Sequence, residues 1–360
     1  MTRPIMPGIR RRTLLLGAAA GLAAPAIWRP SGARAQSSRI VVRDDGGIYT
    51  QAYTEVFYRP FTEATGIQVV PAQAQAEPTA QIRSMVETQT YTWDMGKISV
   101  PAVLQLTSGD TKYLEPVGLD AEDVIQSIPQ QYRNDYQVGT NVYTTVLAYR
   151  RDAFEGREAP ASWADLMNPE QFPGRRALRR HPYDTLEQAL MADGVAPGDV
   201  YPLDIDRACS VLDRVQPATD IWWTSGAQAE QLLISGEVDL ISTWVSRAQS
   251  AQAAGAPVEI VWNQNIWGCD GWSILAGTPN ADACRELIKF ASDPARMAQL
   301  VEFFPAGIVQ PAAFEQISQD VARSCPTYPE NIATGLQIDA AYWLEQADPV
   351  IERFNTWFIG

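Results

Sequence analysis

Histidine is almost missing from this chain: His181 is the only one in 360 residues. A site built on several imidazoles is excluded, and any Ser-His-Asp arrangement would have to use that one residue. As a lone imidazole it is expected to be satisfied within a loop. The four cysteines, Cys209, Cys269, Cys284 and Cys325, contain no Cys-x-x-Cys spacing, which removes the usual thiolate metal sites. Base is scarce beside acid, 28 Lys and Arg against 42 Asp and Glu. Six of those bases are arginines within the first 35 residues, which hold no acid, so the rest carries 22 against 42, a balance of −20. A body that acidic repels phosphate backbones and anionic lipid, so nucleic acid is excluded as a partner. The phosphate-loop, GxGxxG, GxSxG and HExxH patterns are all absent, and Lys97 follows Gly96 without the rest of a phosphate loop. No metal and no cofactor is expected.

What is there starts at the N-terminus. Arg10-Arg11-Arg12 precedes Thr13-Leu14-Leu15-Leu16, an Ala/Gly/Leu run to Ala26, and the small-x-small sequence Ala33-Arg34-Ala35. Basic, apolar, then small is the order of a secretory signal peptide, and an apolar stretch of about ten residues is too short for a resident span. Paired arginines directly before x-Leu-Leu fit the twin-arginine variant of that signal. Residues 1–35 are therefore expected to be removed on export, leaving a mature chain from near Gln36, soluble in the periplasm. Beyond residue 35 no apolar run reaches 18 residues. Four cysteines in an oxidising compartment allow three pairings. Cys269 and Cys284 would close a short loop, and buried free thiols fit equally well.

The mature chain alternates strand and helix signals. Ile40-Val41-Val42, Ile67 to Val70 and Met95 to Ile98 read as strands, separated by helical segments around Val56–Phe61 and after Pro78. Gly66 caps the first of these. Val142 to Tyr149 is a long β-rich run, after which the alternation restarts with strands at Arg176–Leu178, Val238–Trp244, Val258–Trp262 and Trp272–Leu275. Helices are expected at Thr185–Met191, Gly226–Ile234, Ala281–Ala291 and Pro294–Phe304. The pattern implies an α/β fold of two lobes, one from 36–143 with 273–312 and the other from 144–272 with 313–360, with a ligand cleft between them.

Two features within that frame carry chemistry. Asp184 and Glu187 stand three residues apart, so on a helix they share a face. Asp184 at N-cap with Glu187 at N3 also makes a capping box, the commoner use of that spacing. The alternative use is to receive a cationic amine. Six of the eleven tryptophans fall between positions 222 and 272; most are expected in lobe packing. Trp244, however, ends a strand, and Asp270 lies two residues before Trp272. An indole face beside a carboxylate suits an alkylammonium, through cation–π attraction and a counter-charge.

The residues Ser162-Trp163-Ala164-Asp165-Leu166, Phe172-Pro173-Gly174-Arg175-Arg176, Trp222-Trp223-Thr224-Ser225-Gly226 and Ser235-Gly236-Glu237-Val238 carry a resemblance. With Tyr201-Pro202-Leu203-Asp204 and Pro329-Glu330-Asn331, they make the chain similar to the extracellular solute-binding proteins of bacterial ABC importers, of the spermidine/putrescine-binding type. The resemblance implies a two-lobed type II periplasmic-binding fold with hinge strands, closure on ligand, and delivery to a permease. It implies that the Asp-x-x-Glu pair Asp184/Glu187, the tryptophan Trp244, the late aspartate Asp270 with Trp272, and the early aromatic Tyr49 meet an amine. The family's aromatic-x-Asp order is reversed here, and Tyr49 stands alone where an aromatic pair is usual. No Tyr-Tyr pair occurs, which speaks against ferric iron.

The expected function is a monomeric, non-enzymatic receptor for a small cationic solute, a polyamine such as putrescine or spermidine. Within the same class the alternative is an amino acid, betaine or other zwitterion, whose carboxylate an arginine such as Arg247 would hold. From another class it is an exported carboxylate-dependent hydrolase.

Overall fold

The computed structural model describes residues 39–74 and 78–360; the expected export segment and the start of the mature chain lie outside them. Short apolar runs bounded by glycine, proline and acid form the strands. They are β1 (Arg39–Asp44), β2 (Gln68–Gln73), β3 (Met95–Ser99), β4 (Gln137–Arg150), β5 (Arg176–Arg179), β6 (Thr219–Trp223), β7 (Leu240–Trp244) and β8 (Val258–Leu275). Gly66 takes the left-handed conformation (φ 76°) that ends the helix Arg59–Thr65, as its position in the sequence predicts.

The strands lie in the order β2-β1-β3-β8-β4-β7-β5-β6. β1 runs parallel to β2 and β3, and β5 parallel to β6 and β7. Between these parallel blocks, β8 and β4 are antiparallel to each other and to their outer neighbours. Each block has its own core. Ile40, Val42, Phe57, Leu287 and Ile288 belong to one, and Trp163, Leu186, Leu212 and Phe354 to another. The two long strands serve both: Val142 of β4 and Trp272 of β8 pack in the first core, Leu147 and Ile266 in the second. This is the two-lobed α/β architecture. Two long strands that cross between separate cores are the connections about which two lobes of this kind can rotate as rigid bodies.

Gly307 fastens a late segment to this crossing. Its carbonyl accepts the Val142 N–H at 2.9 Å and its own N–H donates to Asn141 Oδ1 at 3.0 Å, an approach that leaves no room for a Cβ against the Val142 backbone.

Two expectations change. Val258–Trp262 and Trp272–Leu275 are not separate strands but the ends of the single 18-residue β8. Its middle carries Asn263-Gln264-Asn265, where the register shifts between Val261 and Ile266 and Gln264 adopts φ 58°. Polar residues and a bulge hide that strand from any criterion based on apolar runs. The helix from Pro294 stops at Gln299 and continues only as a short 3-10 turn, Leu300–Glu302. The four cysteines are all free; Cys269, Cys284 and Cys325 are buried and Cys209 is partly exposed.

Candidate functional site

The ends of β1, β3, β5 and β7, together with the middle of β4 and β8, surround a cavity of about 1120 Å³. One wall begins where β1 ends in two acids. Asp44 is buried and local in role: it accepts the Gly46 N–H at 3.0 Å, the Tyr58 hydroxyl at 3.1 Å and the Thr50 hydroxyl. That fastens the turn into the helix Ile48–Tyr53, whose Tyr49 reaches the cavity. Asp45 turns toward the cavity and meets Lys97 of β3, whose Nζ also donates to Asp270 Oδ2 of β8 at 2.7 Å. The same ammonium lies 5.0 Å from the centroid of the Tyr49 ring. Arg43 braces the group from behind, donating to the Lys97 carbonyl at 2.6 Å. Burial works against the Lys97 charge, yet facing Asp270, Tyr53 and Asp45 hold its pKa well above the usual lysine range. Burial raises Asp270, and Lys97 pulls it part of the way back.

Across the cavity, Arg179 ends β5 and donates from Nη1 to Asp184 Oδ2 at 3.1 Å. That oxygen also accepts the Thr145 hydroxyl at 2.9 Å, while Asp184 Oδ1 is buried without a partner. The Arg179 guanidinium lies 5.1 Å from the Trp244 ring centroid. Trp244 closes β7 and leads directly into the helix Val245–Ala253, whose first turn faces the cavity with Arg247. Arg247 donates to Glu230 Oε2 at 3.1 Å and keeps its Nε buried without a partner. Burial raises the pKa of Asp184, with Arg179 opposing it.

The capping box expected from Asp184 and Glu187 does not form. The cap is His181, whose Nδ1 accepts the Tyr183 N–H at 3.2 Å. Burial, with Arg179 nearby, pushes that imidazole down to about 4, so it is neutral as an acceptor must be. Asp184 itself sits at a kink with a positive φ (φ 73°, ψ −42°), close to the rare γ-turn conformation and outside the helical region.

Of the six residues singled out in the sequence, Tyr49, Asp184, Trp244 and Asp270 line this one cavity. Glu187 and Trp272 are not brought to it. The kink at Asp184 breaks the helical spacing, so the two carboxylates do not share a face. Glu187 is fully buried, and its Oε1 accepts from Tyr201 Oη at 2.7 Å and Trp343 Nε1 at 2.8 Å. Trp272 is a core residue packed on Tyr53 at 5.3 Å between ring centroids. Sequence reasoning missed Asp45, Lys97 and Arg179. Their signal was position: each lies at or near the carboxyl end of a strand in a parallel block, where α/β sheets open a crevice.

Four cations, Arg43, Lys97, Arg179 and Arg247, line the cavity against three carboxylates, Asp45, Asp184 and Asp270. Tyr49, Tyr143, Trp244 and Phe304 supply apolar and aromatic surface between them. Among the described residues no cluster of His, Cys, Asp and Glu could hold a metal, and no helix is long and apolar enough to cross a membrane. The arrangement suits a small solute carrying both an anionic and a cationic end.

The sequence matches the profile of bacterial extracellular solute-binding proteins over residues 57–324. It is similar to the gamma-aminobutyric acid-binding protein of Pseudomonas aeruginosa, at 32% identity over 331 residues, 90% of this chain and 92% of that protein. The spermidine/putrescine-binding periplasmic protein of Escherichia coli is 25% identical over 302 residues, 80% of this chain and 84% of that one. A solved ABC transporter substrate-binding protein from Bradyrhizobium japonicum superposes with a TM-score of 0.81 at 34% identity, covering 89% of this chain and 99% of that chain.

Proposed function

The chain belongs to the bacterial extracellular solute-binding protein family, a substrate-binding protein of ABC transporters and not an enzyme, and on that premise we propose that it is a periplasmic receptor for a short zwitterionic ω-amino acid of the γ-aminobutyrate type. The observation that carries the reading is that the acids facing the cavity are already ion-paired within the chain, Asp184 with Arg179 and both Asp45 and Asp270 with Lys97. A diamine needs an unspent carboxylate at each end to offset the loss of water from its ammonium groups. The first wall sets two carboxylates side by side, where Asp45 and Asp270 share Lys97 and Asp45 Oδ1 also lies 3.5 Å from Arg43 Nη1. The second wall offers donors instead: Arg179, Arg247 and the opening turn of the helix Val245–Ala253. An ω-amino acid matches that polarity, its ammonium against Asp270 and Asp45, its carboxylate toward the two arginines, its methylenes against Trp244.

The name of the Pseudomonas relative supports this choice. A polyamine is the second reading, favoured by the more distant Escherichia relative. In either case the two lobes, divided as the sequence suggests, close on the ligand and present it to a permease. Residues 1–35 direct export through Arg11 and Arg12, and the receptor acts as a monomer.

4-Aminobutyrate and putrescine are nearly equal in length and differ in charge at one end, so they decide between the readings. Calorimetry should find 4-aminobutyrate binding roughly 100-fold tighter than putrescine, the scale of about 3 kcal/mol for an ammonium placed against arginines without a counter-charge. Tighter binding of putrescine would restore the polyamine reading.

A further inference from the structure

Lys97 is an unusual lining residue, because its ammonium sits in surroundings that would serve an amine ligand equally well. Only 3% of its side chain is exposed. Nζ touches two carboxylates, Asp45 Oδ2 and Asp270 Oδ2, and an aromatic face, Tyr49. Opposed carboxylates with an aromatic ring are what recognition of a primary alkylammonium requires. The side chain is not there by loose excursion. Its backbone is held by the pairing of β3 with β8, where Lys97 stands opposite Trp272, and by the Arg43 hydrogen bond to its carbonyl at 2.6 Å.

We propose that Lys97 fills, from within the chain, an alkylammonium-binding position made by Asp45, Asp270 and Tyr49, and that this occupancy keeps diamines out of the cleft. The position is real because it already holds an ammonium; what the sequence decides is whose ammonium it is. With Lys97 in place the two aspartates face two cations, Lys97 between them and Arg43 at 3.5 Å from Asp45, so a ligand ammonium approaching from the cavity can only share them. Without it the pair would gain one charge that no cation of the chain offsets there, and a three-carbon channel ending at both carboxylates would open to solvent. The exclusion of diamines rests on the zwitterion reading above, whereas the existence of the position does not.

The test uses Lys97→Ala, which removes three carbons and the nitrogen, a fragment equal to n-propylammonium. Thermal melts and calorimetry are run with propylammonium chloride against sodium chloride at equal ionic strength. Propylammonium should raise the melting temperature of Lys97→Ala by several degrees at tens of millimolar and leave the parent unmoved. Putrescine should bind Lys97→Ala at least tenfold more tightly than it binds the parent. In the double variant with Asp270→Asn the propylammonium effect should vanish. If Lys97→Ala does not fold, Lys97→Met keeps the stem, removes only the charge, and takes ammonium ion as the probe. A folded variant indifferent to its probe, or one with the parent's affinity for putrescine, overturns the assignment. If 4-aminobutyrate fails to bind the parent while propylammonium still stabilises the variant, the proposed function falls and the position stands; the reverse pair of results removes only the position.

Discussion

Arg179→Met is expected to weaken binding of 4-aminobutyrate by roughly 30- to several-thousand-fold, the range for losing one charged partner in a closed site. Arg179 stands at the end of β5 over the Trp244 ring and lines the cavity, with Nη1 donating to Asp184. Methionine keeps most of the packing on the rings and removes every donor. The variant has a second consequence, because Asp184 is buried and loses its ion pair. An uncompensated buried carboxylate costs about 3–5 kcal/mol, less whatever it recovers by taking up a proton. The two effects separate in the double variant with Asp184→Asn, which removes the stranded charge. That variant should regain thermal stability and still bind poorly. Calorimetry alongside melting curves reads both; Arg179→Met binding as the parent does would remove Arg179 from the ligand's carboxylate.

Glu187→Gln should leave affinity near that of the parent and change how stability responds to pH. Burial, with the charge of Asp184 beyond it, pushes the Glu187 carboxyl up to about 7, even though hydrogen bonds from Tyr201 and Trp343 favour the ionised form. In the unfolded chain a glutamate titrates near 4.3. Between those two values the folded protein holds the proton that the unfolded chain has released. Stability therefore falls as pH rises through that window and levels off above about 7, with a total contribution of about 3 kcal/mol. Glutamine keeps an acceptor at Oε1 for both donors and has no proton to lose. The gap between variant and parent should thus move in the variant's favour by several degrees of melting temperature between pH 5 and pH 8. Comparing the two proteins cancels the titration of groups they share. A constant gap over that range would mean that Glu187 ionises freely in the fold, and a large loss of affinity would return it to the ligand.

The strands that bear the cleft were legible because their apolar runs are dense and end in glycine or acid. β8 was legible only at its ends, since Asn263-Gln264-Asn265 interrupts the pattern where the chain bulges. The same limit governed the site. Tyr49, Asp184 and Trp244 meet in one cavity because each follows or ends an element whose position could be read, and Asp270 joins them from within β8, just before its legible end. Glu187 was paired with Asp184 by helical spacing, and the non-helical backbone at Tyr183 and Asp184 undoes that spacing without any mark in composition. Lys97 looked like a fragment of a phosphate loop because its partners, Asp45 and Asp270, lie 52 and 173 residues away. Ion pairs that neutralise an expected amine site across such distances can be found only in three dimensions, and they are what turns the reading from a dication toward a zwitterion.

A crystal structure of the protein with 4-aminobutyrate tests the central claim most directly. The account predicts a closed cleft with the ligand carboxylate within hydrogen-bond distance, about 3 Å, of Arg179 or Arg247, and its ammonium against Asp270 or Asp45 beside an unmoved Lys97. A ligand bound the other way round, with its carboxylate on Lys97, or a cleft that stays empty with 4-aminobutyrate and fills with putrescine, would contradict it.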